Sequence, residues 1–245
     1  MDYGKDFKKY ALSEGLSSLN LHYYEKQIEG SMTPYILEER EMRVTQMDIF
    51  SRLMRDRILW VAGVVNDNMS TVDQAQLMYL DSVEKRDITM HIDSPGGSVK
   101  SGLSMVDVMR TIKCDVATVN TGMAASMGSI LLSSGTKGKR SSLNFSKVMI
   151  HQVSSGAQGH VEDNRISQME SEKYNYVLFK MLAENSGKSF DQVLESARRD
   201  HWLNSQEALD FGFIDEIITS DKTSSITKLM EGFDEYYTKE ILKKS

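Results

Sequence analysis

A mixed α/β fold built on a mostly parallel sheet is predicted by two features of this 245-residue chain. Short apolar runs alternate with helical patterns through its middle, the rhythm of strands joined by covering helices. Two of those runs, Ile88–Ile92 and Asp115–Val119, lead into small-residue segments, Asp93–Gly97 (DSPGG) and Gly122–Gly128 (GMAASMG), and a helical pattern follows each. A strand that ends in such a turn and opens a helix exposes backbone N–H groups where the helix favours negative charge. Acyl-transfer chemistry needs donors of that kind wherever an oxyanion develops.

Residues 1–33 are polar and weakly periodic, and end in Gly30-Ser31-Met32-Thr33-Pro34. They are predicted to be an extension or removable propeptide. Ile58–Val65 (ILWVAGVV) is a continuous apolar run, as expected for a strand buried on both faces. Ser70 and Asp73 supply a helix start signal, with the helix running to about Lys85. The strand Ile88–Ile92 precedes a helix Val99–Ile112, in which Val99, Leu103, Val106 and Met109 fall at helical spacing. A strand Val116–Val119, a helix Ser126–Leu132 and a strand Val148–Ile150 continue the rhythm.

Residues 152–161 (QVSSGAQGHV) form a glycine- and serine-rich loop or edge hairpin, followed by one long helix, Glu162–Asn185. Its apolar stripe comprises Ile166, Met169, Val177, Leu178, Met181 and Leu182, and could pack on its own sheet or pair with another copy. Self-association is the expected outcome, because the glycine-rich segment offers an unpaired strand edge. Gly187 closes the helix and Ser189 with Gln192 opens another. His201-Trp202-Leu203 is a short strand, Ser205–Phe211 a short helix stopped by Gly212, and the tail from Ser220 is polar, lysine-rich and predicted to be poorly ordered.

Hydrophobic residues make up 40% and charged residues 26%, ordinary for a globular protein. The net charge of −6, with no long basic run, argues against a nucleic-acid surface. No run of apolar residues is long enough to span a membrane, and the N-terminus lacks the apolar segment of a secretory signal, so a cytoplasmic location is expected. The single cysteine, Cys114, excludes an intramolecular disulfide and reads as a small packing residue. No metal or other cofactor is expected, and no GxxxxGK[ST] phosphate loop is present.

Ser126 sits among small residues and needs a base to act as a nucleophile. Of the five histidines, His151 ends an apolar strand at the sheet edge that carries the Ser126 turn. His22 lies in the extension, His160 in the loop and His91 within a strand, while His201 adjoins Asp200 and so could not be oriented across a site by it. Asp200 enters the strand His201–Leu203 and could fix the tautomer of a base. Each signal has a plainer reading taken singly: a helix cap for Ser126, a packed strand end for His151, a turn acid for Asp200 and a simple turn for Pro95-Gly96-Gly97.

The whole pattern resembles a family. DSPGGSV, GMAASMG, the GKR of Gly138–Arg140, the VMIHQ of Val148–Gln152 and RRDHWLNSQEALDFGFIDEI are similar to the Clp protease proteolytic subunits (ClpP). TPYILEER and DIFSRLM resemble the Bacteroidetes-type members. The likeness runs from about Pro34 to Thr219, and the spacings between Ser126, His151 and Asp200 agree with it. It implies the ββα superhelix shared with crotonases, with a protruding handle at about 152–186. It divides the chain into an extension (1–33), a peptidase domain (34–219) and a polar tail (220–245).

The resemblance implies a serine endopeptidase that cleaves unfolded polypeptides, with Ser126 as nucleophile, His151 as base and acid, Asp200 as orienting carboxylate, and the N–H groups of Gly97 and Met127 as oxyanion hole. It implies two stacked rings of seven subunits, with Arg199 at a ring–ring contact, fed by an ATP-dependent AAA+ unfoldase. Several positions depart from the family, among them Val153 after Gln152, Gly159-His160-Val161 in the handle and Cys114. Thr89, His91 and Thr111 stand where aromatic residues usually receive the unfoldase, so docking is expected to be altered. A divergent paralogue working beside a second ClpP type follows from that loss. The competing readings are a structural or weakly active ring subunit and an acyl-CoA enzyme of crotonase type.

Overall fold

The structure, a computed structural model, describes residues 35–40, 43–154, 160–220 and 222–242. The extension with His22 and Pro34, and the centre of the glycine-rich segment at 155–159, lie outside the described residues. Two compact units divide after Leu53. In the first, β1 (Tyr35–Arg40) and β2 (Arg43–Asp48) form an antiparallel pair, and α1 (Ile49–Arg55) begins where the Ser51 N–H donates to Asp48 Oδ1 at 3.0 Å.

The second unit holds the predicted alternation. Parallel strands β3 (Ile58–Ala62), β4 (Ile88–Ser94) and β5 (Val116–Ala125) are joined through α2 (Asp67–Val83) and α3 (Val99–Thr111). β5 then serves two neighbours. Its first half pairs with β6 (Arg140–Leu143), which continues to β9 (Glu216–Ile218). Its second half pairs with β7 (Lys147–Ile150), which is joined antiparallel by β8 (His201–Asn204). Between these strands come α4 (Met127–Ser133), α5 (Val161–Ser186), α6 (Phe190–Ser196) and α7 (Ser205–Phe211). The tail, predicted to be poorly ordered, folds into α8 (Ile226–Leu229), α9 (Phe233–Tyr236) and a π-helical turn at Tyr237–Leu242. Asn144 anchors its start, accepting from the Ile226 N–H at 2.8 Å and donating to the Ser224 carbonyl at 3.0 Å.

The core lies on one side of the sheet. Leu59, Val61, Met90 and Ile92 are buried there against Leu77 and Leu80 of α2 and Met105 of α3. Each such side chain contributes about 1.5–3 kcal/mol through its burial. The run Ile58–Val65 is therefore not buried on both faces: Trp60 is exposed, and the strand ends at Ala62 because Gly63 turns at φ +86°. Trp60 stacks on His91, its register partner on β4, with ring centroids 4.8 Å apart.

Helix α2 starts earlier than predicted. Asn66 caps it by accepting from the Met69 N–H at 3.0 Å, so Ser70 and Asp73 lie inside the helix on its buried side. The Ser70 hydroxyl is satisfied by the Ser101 carbonyl of α3 at 2.8 Å. Strand β6 was missed because RSSL carries almost no apolar signal. Its Arg140 is buried and binds Asp215 through two guanidinium nitrogens at 2.6 and 2.9 Å, while Nη1 donates to the Asn185 carbonyl at 2.8 Å. Burial opposes ionisation of Asp215, but these bonds prevail and hold its carboxyl below the ordinary range.

The apolar stripe of α5 divides along its length. Leu178, Met181 and Leu182 are buried, whereas Ile166 (59% exposed), Met169 (53%) and Val177 (44%) face away from the unit's core. Gly187 closes the helix at φ +75°, and Ser189 with Gln192 forms the expected capping box.

Asp73 is only 4% exposed, and its Oδ2 has no hydrogen-bond partner among the described residues. Burial pushes its carboxyl from the ordinary 3.8 up to about 7. Between those values the folded protein holds a proton that the unfolded chain has released, so this group's contribution falls as pH rises and levels off above about pH 7. Asp73→Asn is expected to gain stability over the parent protein progressively from about pH 4 to pH 7, by up to about 4 kcal/mol, in parallel urea melts.

Candidate active site

The sheet brings three chain segments to one edge. The β5–β7 register sets Ala125 beside Met149, so Ser126 and His151 leave neighbouring strands side by side. The antiparallel β7–β8 register sets Ile150 beside His201, which puts Asp200, just before β8, next to His151, just after β7. The outcome is a continuous chain of hydrogen bonds. His151 Nε2 lies 2.9 Å from Ser126 Oγ and His151 Nδ1 lies 3.1 Å from Asp200 Oδ1. The tautomer that satisfies both has the proton on Nδ1, donated to Asp200, with the Ser126 hydroxyl donating to Nε2.

Ser126 occupies a sharp turn. Its φ of +53° is one of two positive values at non-glycine residues among the described residues. Strain of this kind persists only where the surroundings enforce it. Here the Ser126 N–H donates to the Met149 carbonyl at 2.9 Å, while its own carbonyl accepts from the N–H and the hydroxyl of Ser129 at 3.0 and 2.7 Å. Although Ser126 stands at the N-cap of α4, its side chain makes no cap hydrogen bond, because Oγ is committed to His151. Ser98, at the N-cap of α3, does accept from the Ser101 N–H. The contrast sets aside the plain helix-cap reading of Ser126.

The Gly96–Gly97 turn faces Ser126 across a very short gap. A Cβ on Gly96 would lie 2.7 Å from the Ala125 oxygen and from Ser126 Cβ, and 2.8 Å from the Met127 nitrogen. A Cβ on Gly97 would lie 2.2 Å from the Val65 oxygen, and its φ of +152° also belongs to glycine. Ser94 braces the turn, donating to the Gly63 carbonyl at 2.6 Å and accepting from the Gly96 N–H at 3.1 Å. Val65 bonds to residues on either side of Gly97, donating to the Gly96 carbonyl and accepting from the Ser98 N–H. In a parallel bridge of that type the Gly97 N–H points the other way. Gly97, Met127, Ser126 and His151 thus line one cavity of about 190 Å³, whose apolar wall includes Ile130, Ile150, Leu178 and Phe179.

The remaining candidates fall elsewhere. Gly122 to Ala125 belong to β5 rather than to the turn, with Gly122 packed against the Asp93 carboxylate. His91 lies on the outer sheet face, where burial lowers its pKa. His160 is exposed, and His201 packs edge-on against Phe211. Arg199 is exposed next to Asp200. Cys114 is buried, and burial pushes its thiol up, as suits a packing residue. Ser94 and Ser129, whose hydroxyls brace the two turns, carry no sequence signal beyond their place within and just after the two small-residue motifs.

The Clp protease family model matches residues 39–221. Similar proteins include an ATP-dependent Clp protease proteolytic subunit of Bacteroides fragilis, 49% identical over 215 residues, covering 87% of this chain and 98% of that protein. The subunits of the same description from Bacteroides thetaiotaomicron (47% identical, 87% of this chain and 98% of that protein) and Porphyromonas gingivalis (45%, 89% and 99%) are also similar.

A methyl group on Gly96 must push the Ser126 turn aside. Gly96→Ala is expected to slow modification of Ser126 by a serine-directed fluorophosphonate about 100-fold, read by intact-protein mass. Unchanged labelling would show that the gap is not needed.

Proposed function

Because the chain belongs to the Clp protease family and so is a serine endopeptidase, we propose that Ser126 is its nucleophile, His151 its base and acid, and Asp200 the carboxylate that orients His151. The hydrogen-bond chain from Ser126 through His151 to Asp200, opening onto one apolar-walled cavity, carries this reading. Ser126 Oγ attacks the scissile carbonyl while Nε2 takes its proton, and Asp200 stabilises the imidazolium that results. The carbonyl oxygen, now negative, is met by the N–H groups of Gly97 and Met127. Collapse expels the amine, which receives the proton from Nε2. A water molecule then repeats the sequence on the acyl-enzyme and restores Ser126.

The assembly follows the same reading. The exposed half of the α5 stripe is an apolar surface suited to another copy, as in a handle joining two stacked seven-membered rings, with Arg199 at their contact. Asp200 is 63% exposed, which favours a site that becomes fully active when a neighbour covers it. Residues 1–33 act as an extension or propeptide, residues 34–219 form the peptidase domain with its handle at about 152–186, and the tail follows from 220. Unfolded substrates reach the chamber through an AAA+ unfoldase in the cytoplasm, and the ATP is consumed there.

Docking of that unfoldase is altered at Thr89, His91 and Thr111. Part of the lost aromatic area is replaced by the Trp60–His91 stack. The particle therefore works with a second ClpP type supplying the docking ring.

Hydrolysis of a short fluorogenic peptide by the full-length protein tests the catalytic assignment. Ser126→Ala and His151→Ala are each expected to lower kcat/KM about 10⁴-fold or more. Equal background turnover by the parent and Ser126→Ala would leave only a structural subunit. Binding of a Clp unfoldase to homomeric particles tests the docking reading: weak binding that His91→Tyr tightens is expected, and tight docking by the parent would end the mixed-particle idea.

A further inference from the structure

Ser129 lines the active-site cavity and is only 1% exposed, yet no step of the peptidase chemistry uses it. Its hydroxyl and its N–H converge on a single acceptor, the Ser126 carbonyl, at 2.7 and 3.0 Å. That carbonyl belongs to the same peptide unit as the Met127 N–H. The unit is planar and trans, so fixing the direction of the C=O fixes the N–H in the opposite direction. Ser126 has φ +53° and ψ −120°, a conformation its own sterics disfavour, and the peptide that follows it has reason to rotate away.

Resting on the assignment of Ser126 as nucleophile, we propose that Ser129 is a positioning residue, whose hydroxyl locks the Ser126–Met127 peptide so that the Met127 N–H points at the developing oxyanion. The two donors on one oxygen act as a clamp from the α4 side. Gly96, whose missing Cβ leaves room 2.8 Å from the Met127 nitrogen, leaves the other side open. Removing the hydroxyl leaves one weaker tether, the Ser129 N–H, on a strained peptide. Substrate binding in the ground state needs no such alignment, whereas the tetrahedral intermediate does, so the loss falls on kcat.

The same helix supplies a control. Ser133 is equally buried and also donates its hydroxyl three residues back, to the Ile130 carbonyl at 3.2 Å, but lies outside the active-site cavity. Steady-state hydrolysis of a fluorogenic peptide, and inhibition by a peptide boronate that forms a tetrahedral adduct, are measured on full-length parent, Ser129→Ala, Ser129→Cys and Ser133→Ala. Cysteine fills the serine volume while donating poorly, so it separates a lost hydrogen bond from a cavity if the alanine variant folds badly. For both Ser129 variants the expected result is kcat about tenfold lower, KM within about twofold, and the boronate inhibition constant about tenfold higher. Ser133→Ala is expected to keep parent kinetics. Ser129 variants with parent kcat, or with a raised KM at unchanged kcat, would overturn the assignment. Parent turnover that persists in Ser126→Ala would overturn the nucleophile reading itself, and this inference with it.

Discussion

Two backbone turns, one ending β4 and the other ending β5, approach until there is no room for a side chain between them. Gly96 lies against the carbonyl of Ala125, the Cβ of Ser126 and the nitrogen of Met127, and Gly97 against Val65. Everything at the active site is arranged around that contact. It lies against Ser126, whose φ is positive and whose Oγ is committed to His151 rather than to a helix cap, and Gly97, Ser126 and Met127 line one cavity. The adjacent strands β7 and β8 then need only ordinary register to deliver His151 and Asp200.

Rigidity behind this contact comes from polar groups as much as from the apolar core. Ser94 ties the first turn to Gly63, and Ser129 ties the second to the start of α4. Further back, Arg140 joins Asp215 to the carbonyls of Ser133 and Asn185, linking the ends of α4 and α5 to the start of β9. A buried arginine of this type is satisfied at every nitrogen or it is costly: removing one partner of such a pair costs about 3–5 kcal/mol. The cavity wall supplied by α5 thus keeps a fixed position relative to Ser126, although the outer half of the same helix leaves the core.

Much of this was legible in the amino-acid order, for a physical reason. Close backbone approach demands glycine and small residues, and those leave recognisable strings at Asp93–Gly97 and Gly122–Gly128. Caps are equally local, so Gly187, Ser189 with Gln192, and Gly212 mark helix ends in the expected places. What escaped was tertiary. β6 is a buried strand of Arg, Ser and Ser whose burial depends on Asp215, 75 residues away, so no apolar run announces it. Ser70 and Asp73 imitate a helix start, but Asn66 holds that place and Asp73 is carried into the interior. β5 runs on to Ala125 because β7 pairs with residues that look like a turn. Trp60 in an apolar run read as buried, when one face of β3 is open.

A crystal structure of the full-length protein inactivated by a peptide boronate would test the central claim most directly. A single adduct on Ser126 Oγ is expected, with one boronate oxygen within hydrogen-bond distance of both the Gly97 and Met127 nitrogens, about 2.7–3.1 Å, and the Ser126 carbonyl still held by Ser129. An adduct on another residue, or a boronate oxygen turned away from both nitrogens, would contradict it.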